Sequence, residues 1–365
     1  MRIVVHREIP EDDRLRGQWN ALVQEMERPE VFYTYEWALA VHRAYRVTMV
    51  PLLVLAYEGD ALTGIASLAT NVDQRKSFFL AHTTADYCDF VSHPQRRPEL
   101  VDAVFTELQK LNLSNLTLAN FPADSATFDP VGGASCEHGY SMFSRPAYLC
   151  ARIELGSSEE RETLKQSFIK RKALRYALKG LAKQGAVTVD HLTSWEAIKP
   201  LLPQFMQAHI ARFVAMGRVS NVAQQERQVF LTELARLLSK SGWAALTRLR
   251  AGNEVVAWNY GFRFSGSWFY YQPTFETSLQ QYSPGVCLLS KMVEAACDDS
   301  EINLIDLGLG AEGYKERFST ALRQTLHVTI HSSAASCLRE RVRYQAATVV
   351  KSVPRLENWI RSLRR

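Results

Sequence analysis

The chain has 365 residues, 47% of them apolar, enough for about two domains with a sizeable core. No run of 18 uninterrupted apolar residues occurs, and the start, Met1 to Arg7, lacks a signal-like apolar centre, so the sequence reads as cytoplasmic. The net charge of +5 collects at the end: eight basic and two acidic residues follow from Arg339 onward, against 35 and 36 before it, which disfavours a broad nucleic-acid-binding face.

In chain order, Leu52 to Tyr57, a Glu58-Gly59-Asp60 turn and Ala61 to Leu68 predict a β-hairpin. An aromatic strand at Phe78 to Leu80, a helix from Glu99 to Leu111 and a strand from Asn115 to Ala119 follow. The Gly, Ser and Pro content of residues 124–145 reads as a linker. Eight Lys or Arg residues between Arg161 and Lys183 surround an apolar stripe of helical spacing, and further helices are expected around 195–216 and 223–240. A second hairpin, Ala245 to Arg250 and Glu254 to Phe264 around Ala251-Gly252-Asn253, then repeats the first plan. An aromatic strand (Trp268 to Tyr271), a helix (Val286 to Cys297) and strands at Ile302 to Leu307 and Arg323 to His331 follow it. Two copies of one α/β unit are the simplest account, with units at 1–147 and 148–335 and a tail at 336–365. In that tail, basic residues alternate with apolar ones and Pro354 divides two expected helices. The pattern suits an anionic membrane surface or a cyclic dinucleotide, which would make the protein peripheral to the inner membrane.

The loop Tyr282-Ser283-Pro284-Gly285 opens the second of these crossover helices. Proline suits a first helical position, glycine admits close backbone approach, and the free N–H groups of such an end attract a pyrophosphate. No metal-ligand cluster, CxxC pair, Walker loop or Ser-His-Asp order is visible. Gly308-x-Gly310-x-x-Gly313 matches a dinucleotide fingerprint by letter only, since no long helix and acidic strand end follow.

The second half resembles the GNAT acyl-CoA N-acyltransferase superfamily, in its FemAB-like branch with the CelD/BioF2-like acetyltransferases. The resemblance rests on His209-x-x-Arg212-Phe213, the Ala257-Trp258-Asn259-Tyr260-Gly261 strand, the Tyr282 to Gly285 loop and the stretch Asp306 to Phe318. It implies an α/β fold of tandem GNAT-like units, with mixed central sheets flanked by helices. It also implies transfer of an acetyl or other acyl group from acyl-CoA, without a metal, to an amine or hydroxyl of a sugar or of a cell-envelope or exopolysaccharide precursor. The first copy, with Phe90 to Pro98 at the loop position, has no glycine there and is not expected to hold CoA; Tyr33, Tyr35, Trp37 and Tyr87 are candidates to stack a substrate.

The resemblance assigns donor binding to Ser283, Pro284, Gly285, Val286, Cys287, Leu288 and Lys315, and acceptor binding to His209, Arg212 and Tyr282. Glu312 is the expected base and Tyr314 the expected acid that protonates the thiolate, with Asp306 orienting the loop or an acceptor amine. The glycines at 308 and 310 fit a splayed strand end through which an acyl chain enters. Two rivals stay open: a Fem-type transferase using aminoacyl-tRNA bound by the basic helix, and a non-catalytic module regulated by an anion at the tail.

Overall fold

The structure, a computed structural model, describes residues 1–71, 76–310 and 313–352. The first unit runs β1 (Arg2–His6), α1 (Asp13–Gln24), α2 (Tyr35–Tyr45), β2 (Val50–Glu58), β3 (Ala61–Asn71), β4 (Lys76–Phe79) and β5 (Val91–Ser92). It continues through α3 (Arg97–Lys110), β6 (Asn115–Pro122), α4 (Phe128–Glu137) and β7 (Ser141–Glu154). The second begins with α5 (Ser158–Lys170), α6 (Lys172–Leu181), β8 (Val187–Leu192), α7 (Trp195–Ile198), α8 (Leu202–Ala215) and α9 (Gln225–Lys240). It is completed by β9 (Ala244–Ala251), β10 (Glu254–Phe264), β11 (Ser267–Phe275), α10 (Pro284–Cys297), β12 (Leu304–Leu309), α11 (Gly313–Glu316), β13 (Ala321–His331) and α12 (Ala334–Ser352).

The expected repeat is present. In each unit a hairpin (β2–β3; β9–β10) pairs antiparallel with a third strand (β4; β11), and a crossover helix (α3; α10) returns the chain to a parallel fifth strand (β6; β12). Among the described residues the strands form one continuous mixed sheet, ordered β1-β2-β3-β4-β6-β13-β7-β12-β11-β10-β9-β8, with β5 paired to β3. The two units exchange their last strands. β7 lies beside β12 of the second unit, β13 lies beside β6 of the first, and β7 and β13 pair with each other from Ser141↔His331 to Arg152↔Ala321. The expected boundary at 147/148 thus falls inside a strand.

The linker expected over 124–145 is instead α4 and the start of β7. Pro130 sits in the first turn of α4, where its missing N–H costs nothing, and Val131 and Ala134 bury one helix face. The basic helix expected over 161–183 breaks at Arg171, whose extended backbone (ψ 113) separates α5 from α6. Its guanidinium lies over the rings of Phe168 and Phe318, at 4.8 and 4.4 Å. One core packs α1, α2, α3 and α9 on the sheet; a second packs α6 and α10 on β11 and β12. Tyr33, Tyr35, Trp37 and Tyr87 belong to the first core, none more than 7% exposed, and so stack no substrate. The apolar contact area of these rings outweighs any reason to leave them in water. No described helix is long and apolar enough to cross a membrane. The second tail helix, beyond Pro354, lies outside the described residues.

Candidate functional site

β11 and β12 pair in parallel only over Ser267↔Leu304, Trp268↔Ile305 and Phe269↔Asp306. Beyond that the two strands part, although β11 runs on to Phe275 and β12 to Leu309. The end of β12 is turned by Gly308 (φ 70) and Gly310 (φ 85), conformations that only glycine adopts freely. Asp306, 1% exposed, accepts from Gly308 N at 2.8 Å and from Tyr87 Oη at 2.9 Å, with Arg152 Nε 3.4 Å away. These bonds tie its carboxylate to the backbone of the strand end and to the first unit.

Tyr270 stands where the strands part. Its hydroxyl donates to the carbonyl of Gly285 at 3.4 Å, and its own carbonyl borders Gly308 on the other side. α10 starts there, with Ser283 left-handed (φ 45, ψ 56) and Pro284 in the first turn. Val286 N and Cys287 N donate to Ser283 O at 3.0 and 3.1 Å, so the expected anion-binding amides narrow to that of Gly285. The side chains of Cys287 and Leu288 are fully buried, and burial pushes the Cys287 thiol up to about 12, too inert to be a nucleophile. The Tyr282 ring fills the space beside Gly180 on α6.

A cleft of about 560 Å³ opens at the parted strands, lined from the first unit by His82, Thr84, Asp86 and Asn120 and from the second by Arg227, Tyr271, Gln272, Gly308 and Lys315. The loop that brings Asp86 here is pinned by both units. Asn120 donates to Ala85 O at 2.8 Å and its own carbonyl accepts from Cys88 N. From the second unit, Tyr271 Oη donates to Thr84 O and Arg227 donates to Thr83 O and, at 2.7 Å, to Tyr271 Oη.

Asp86 is half-buried in the cleft wall. Burial, reinforced by the nearby Asp306 carboxylate and opposed by Lys315, pushes its carboxyl up to about 7. Lys315 is 6% exposed and donates to Leu309 O at 3.2 Å from the second unit's side of the cleft. A carboxyl poised near neutrality beside a buried ammonium is a proton acceptor next to an oxyanion partner.

Lys315 is thus the expected residue that the structure brings to the cleft. Glu312 lies outside the described residues. Tyr314 is half-buried against the α10 core, away from the cleft-lining set. His209 is 2% exposed, bonded through Nδ1 to Ser220 Oγ at 2.8 Å and stacked on Phe213; burial lowers its imidazole to about 4. Arg212 donates to Pro273 O at 3.0 Å and lies over Phe275. Arg212 thus ties α8 to β11 and His209 ties it to the turn at Ser220, and neither lines the cleft. Asp86 and Arg227 were not singled out from the sequence; the one signal was the polar run Thr83 to Asp89 inside an otherwise apolar unit. No group of three His, Cys, Asp or Glu side chains among the described residues could hold a metal ion.

Residues 170–316 match the acetyltransferase (GNAT) domain family. Among solved structures, FemX is similar over 90% of this chain and 97% of its own, with 10% identity and a TM-score of 0.62. L-PGS from Bacillus licheniformis covers 91% and 94% at 11% identity, TM-score 0.56. A conserved protein of unknown function from Bacteroides thetaiotaomicron covers 90% and 100% at 10% identity, TM-score 0.58. No curated protein matches the chain by sequence.

Proposed function

For a chain that belongs to the GNAT superfamily and has the tandem FemAB-like fold, we propose acyl transfer from an acyl-CoA, acetyl-CoA first, to an amine or hydroxyl acceptor. The observation that carries this reading is the parting of β11 and β12, with the start of α10 on one side and Asp86 and Lys315 on the other. The donor's pyrophosphate would rest at Gly285, and its pantetheine arm would pass Tyr270 toward Gly308. Asp86 takes the acceptor's proton as the new C–N or C–O bond forms. Lys315 holds the carbonyl oxygen while it carries negative charge, and the C–S bond then breaks. The departing thiolate takes up the proton that Asp86 has accepted, since Tyr314, the acid expected from the resemblance, packs against α10 instead of lining the cleft.

The acceptor is proposed to be a sugar or cell-envelope precursor, met in the cytoplasm or at the inner membrane face, by family resemblance. Thiol release from acetyl-CoA, measured with and without amino sugars, tests the reaction; no release with any acceptor and no heat of acetyl-CoA binding would defeat it.

A second reading, aminoacyl transfer from tRNA, draws support from Lys170, Lys172, Arg175 and Lys179, all exposed on α5 and α6 with the exposed Tyr176 among them. Stabilisation by aminoacyl-tRNA but not by acetyl-CoA in thermal melts would select it.

A further inference from the structure

α12 crosses the sheet over β7 and β13, with Cys337 buried and the Tyr344 ring 5.9 Å from that of Phe143. Between helix and sheet runs a groove of about 960 Å³, whose cations come from four elements: Lys76 on β4, Arg145 on β7, and Arg339 and Arg343 one turn apart on α12, with His327 and His331 on β13. Glu340 also lines it, but is taken by His331 Nε2 at 2.9 Å. Among the described residues Lys76, Arg145, Arg339 and Arg343 have no carboxylate partner; Arg145 lies over the Tyr344 ring at 5.4 Å.

Four permanent cations facing one concavity repel each other, and a groove with low-dielectric walls concentrates their field. Solvated surface cations on a single helix would not need an opposing wall of the same sign. Arg145 and His327 line this groove and also the cleft that holds Asp86 and Lys315, so the two spaces share a wall. The volume falls in the range of small-molecule sites.

We propose that the groove under α12 holds a phosphate or diphosphate borne by the acceptor, gripped by Arg145 from the sheet and by Arg339 and Arg343 from the helix, with the reacting end laid past His327 into the cleft. The word acceptor rests on the acyl-transfer reading; the anion site does not. Arginine forks suit the paired oxygens of a phosphate. A flat lipid surface fits less well, because Lys76 and Arg145 belong to the sheet wall, and among the described residues the large exposed apolar side chains of α12 are only Leu338 and Val342.

The test is calorimetric titration of the full chain with inorganic pyrophosphate. Arg339→Glu with Arg343→Glu, both exposed and checked for an unchanged melt, should weaken binding at least about tenfold while acetyl-CoA affinity stays the same. Gly285→Val should do the reverse. Uridine diphosphate or farnesyl diphosphate binding more tightly than pyrophosphate would each support the site and assign a nucleotide-borne or a lipid-borne acceptor. Pyrophosphate binding that the α12 variant leaves intact, or that only Gly285→Val removes, overturns the proposal. So does salt-sensitive binding to phosphatidylglycerol vesicles without any pyrophosphate binding. Pyrophosphate binding in the groove with no acetyl-CoA binding anywhere would instead sink the acyl-CoA reading and leave the groove standing.

Discussion

A β-carbon placed on Gly308 would lie 2.5 Å from Oδ2 of Asp86, so a loop of the first unit and a strand end of the second are fitted to each other at atomic contact. Gly308→Ala has no room there and must also adopt a φ of +70. It should lower stability by about 1–3 kcal/mol in denaturant unfolding. Asp86→Ala in the same chain should return part of that loss, a coupling that a double-mutant cycle measures.

Asp86→Asn keeps the shape and removes the base; turnover should fall about 10²-fold or more with acetyl-CoA affinity retained. In the wild type the rate should rise with pH through about 7, where the carboxyl ionises. The stability effect has the opposite slope. The folded-state pKa stands above the unfolded value of 3.8, so the contribution of the protonated group is full below 3.8 and is lost as pH rises through about 7. Asp86→Asn should flatten both profiles. A rate that still rises through pH 7 in the variant assigns the proton to another group.

Lys315→Met removes the cation that opposes the burial of Asp86, so the apparent pKa of the rate should move upward and turnover should drop. A pH–rate series on this variant reads both effects together. Loss of rate with no pKa displacement would separate the lysine from Asp86.

At Gly285 a β-carbon would stand 3.3 Å from Phe275 Cδ1 and 3.9 Å from Tyr270 Oη. Alanine should therefore be tolerated, with a small loss of affinity. Valine should abolish acetyl-CoA binding in calorimetry while the melting temperature changes little, since the added methyls occupy donor space. Wild-type affinity in the valine variant would move the donor elsewhere.

Tyr282 and Gly180 give a structural control. Any β-carbon at residue 180 meets the Tyr282 ring, so Gly180→Ala should destabilise the α6 packing by about 1–3 kcal/mol. Gly180→Ala combined with Tyr282→Ala should recover part of it. Acceptor KM in a folded Tyr282→Ala variant should stay near the wild-type value.

The hairpins, the crossover helices and the helix start at Pro284 were legible in the residues because their signals are local. Gly59 and Gly252 take positive φ at turns, Pro284 sits where a missing N–H is harmless, and apolar periodicity marks the strands. The resemblance carried by Asp306 to Phe318 brought Lys315 to attention for the same reason. The exchange of β7 and β13, and with it one sheet in place of two, was decided only by tertiary structure, since pairs such as Ser141↔His331 join residues far apart in sequence. Nothing in the local pattern of either strand names its partner; burial of both faces against the rest of the sheet does. The same holds for Asp86 and Lys315. Each sits in a short polar stretch of its own unit, and it is the shared sheet that sets them on facing walls of one cleft, where burial and neighbouring charge give the carboxyl its chemistry.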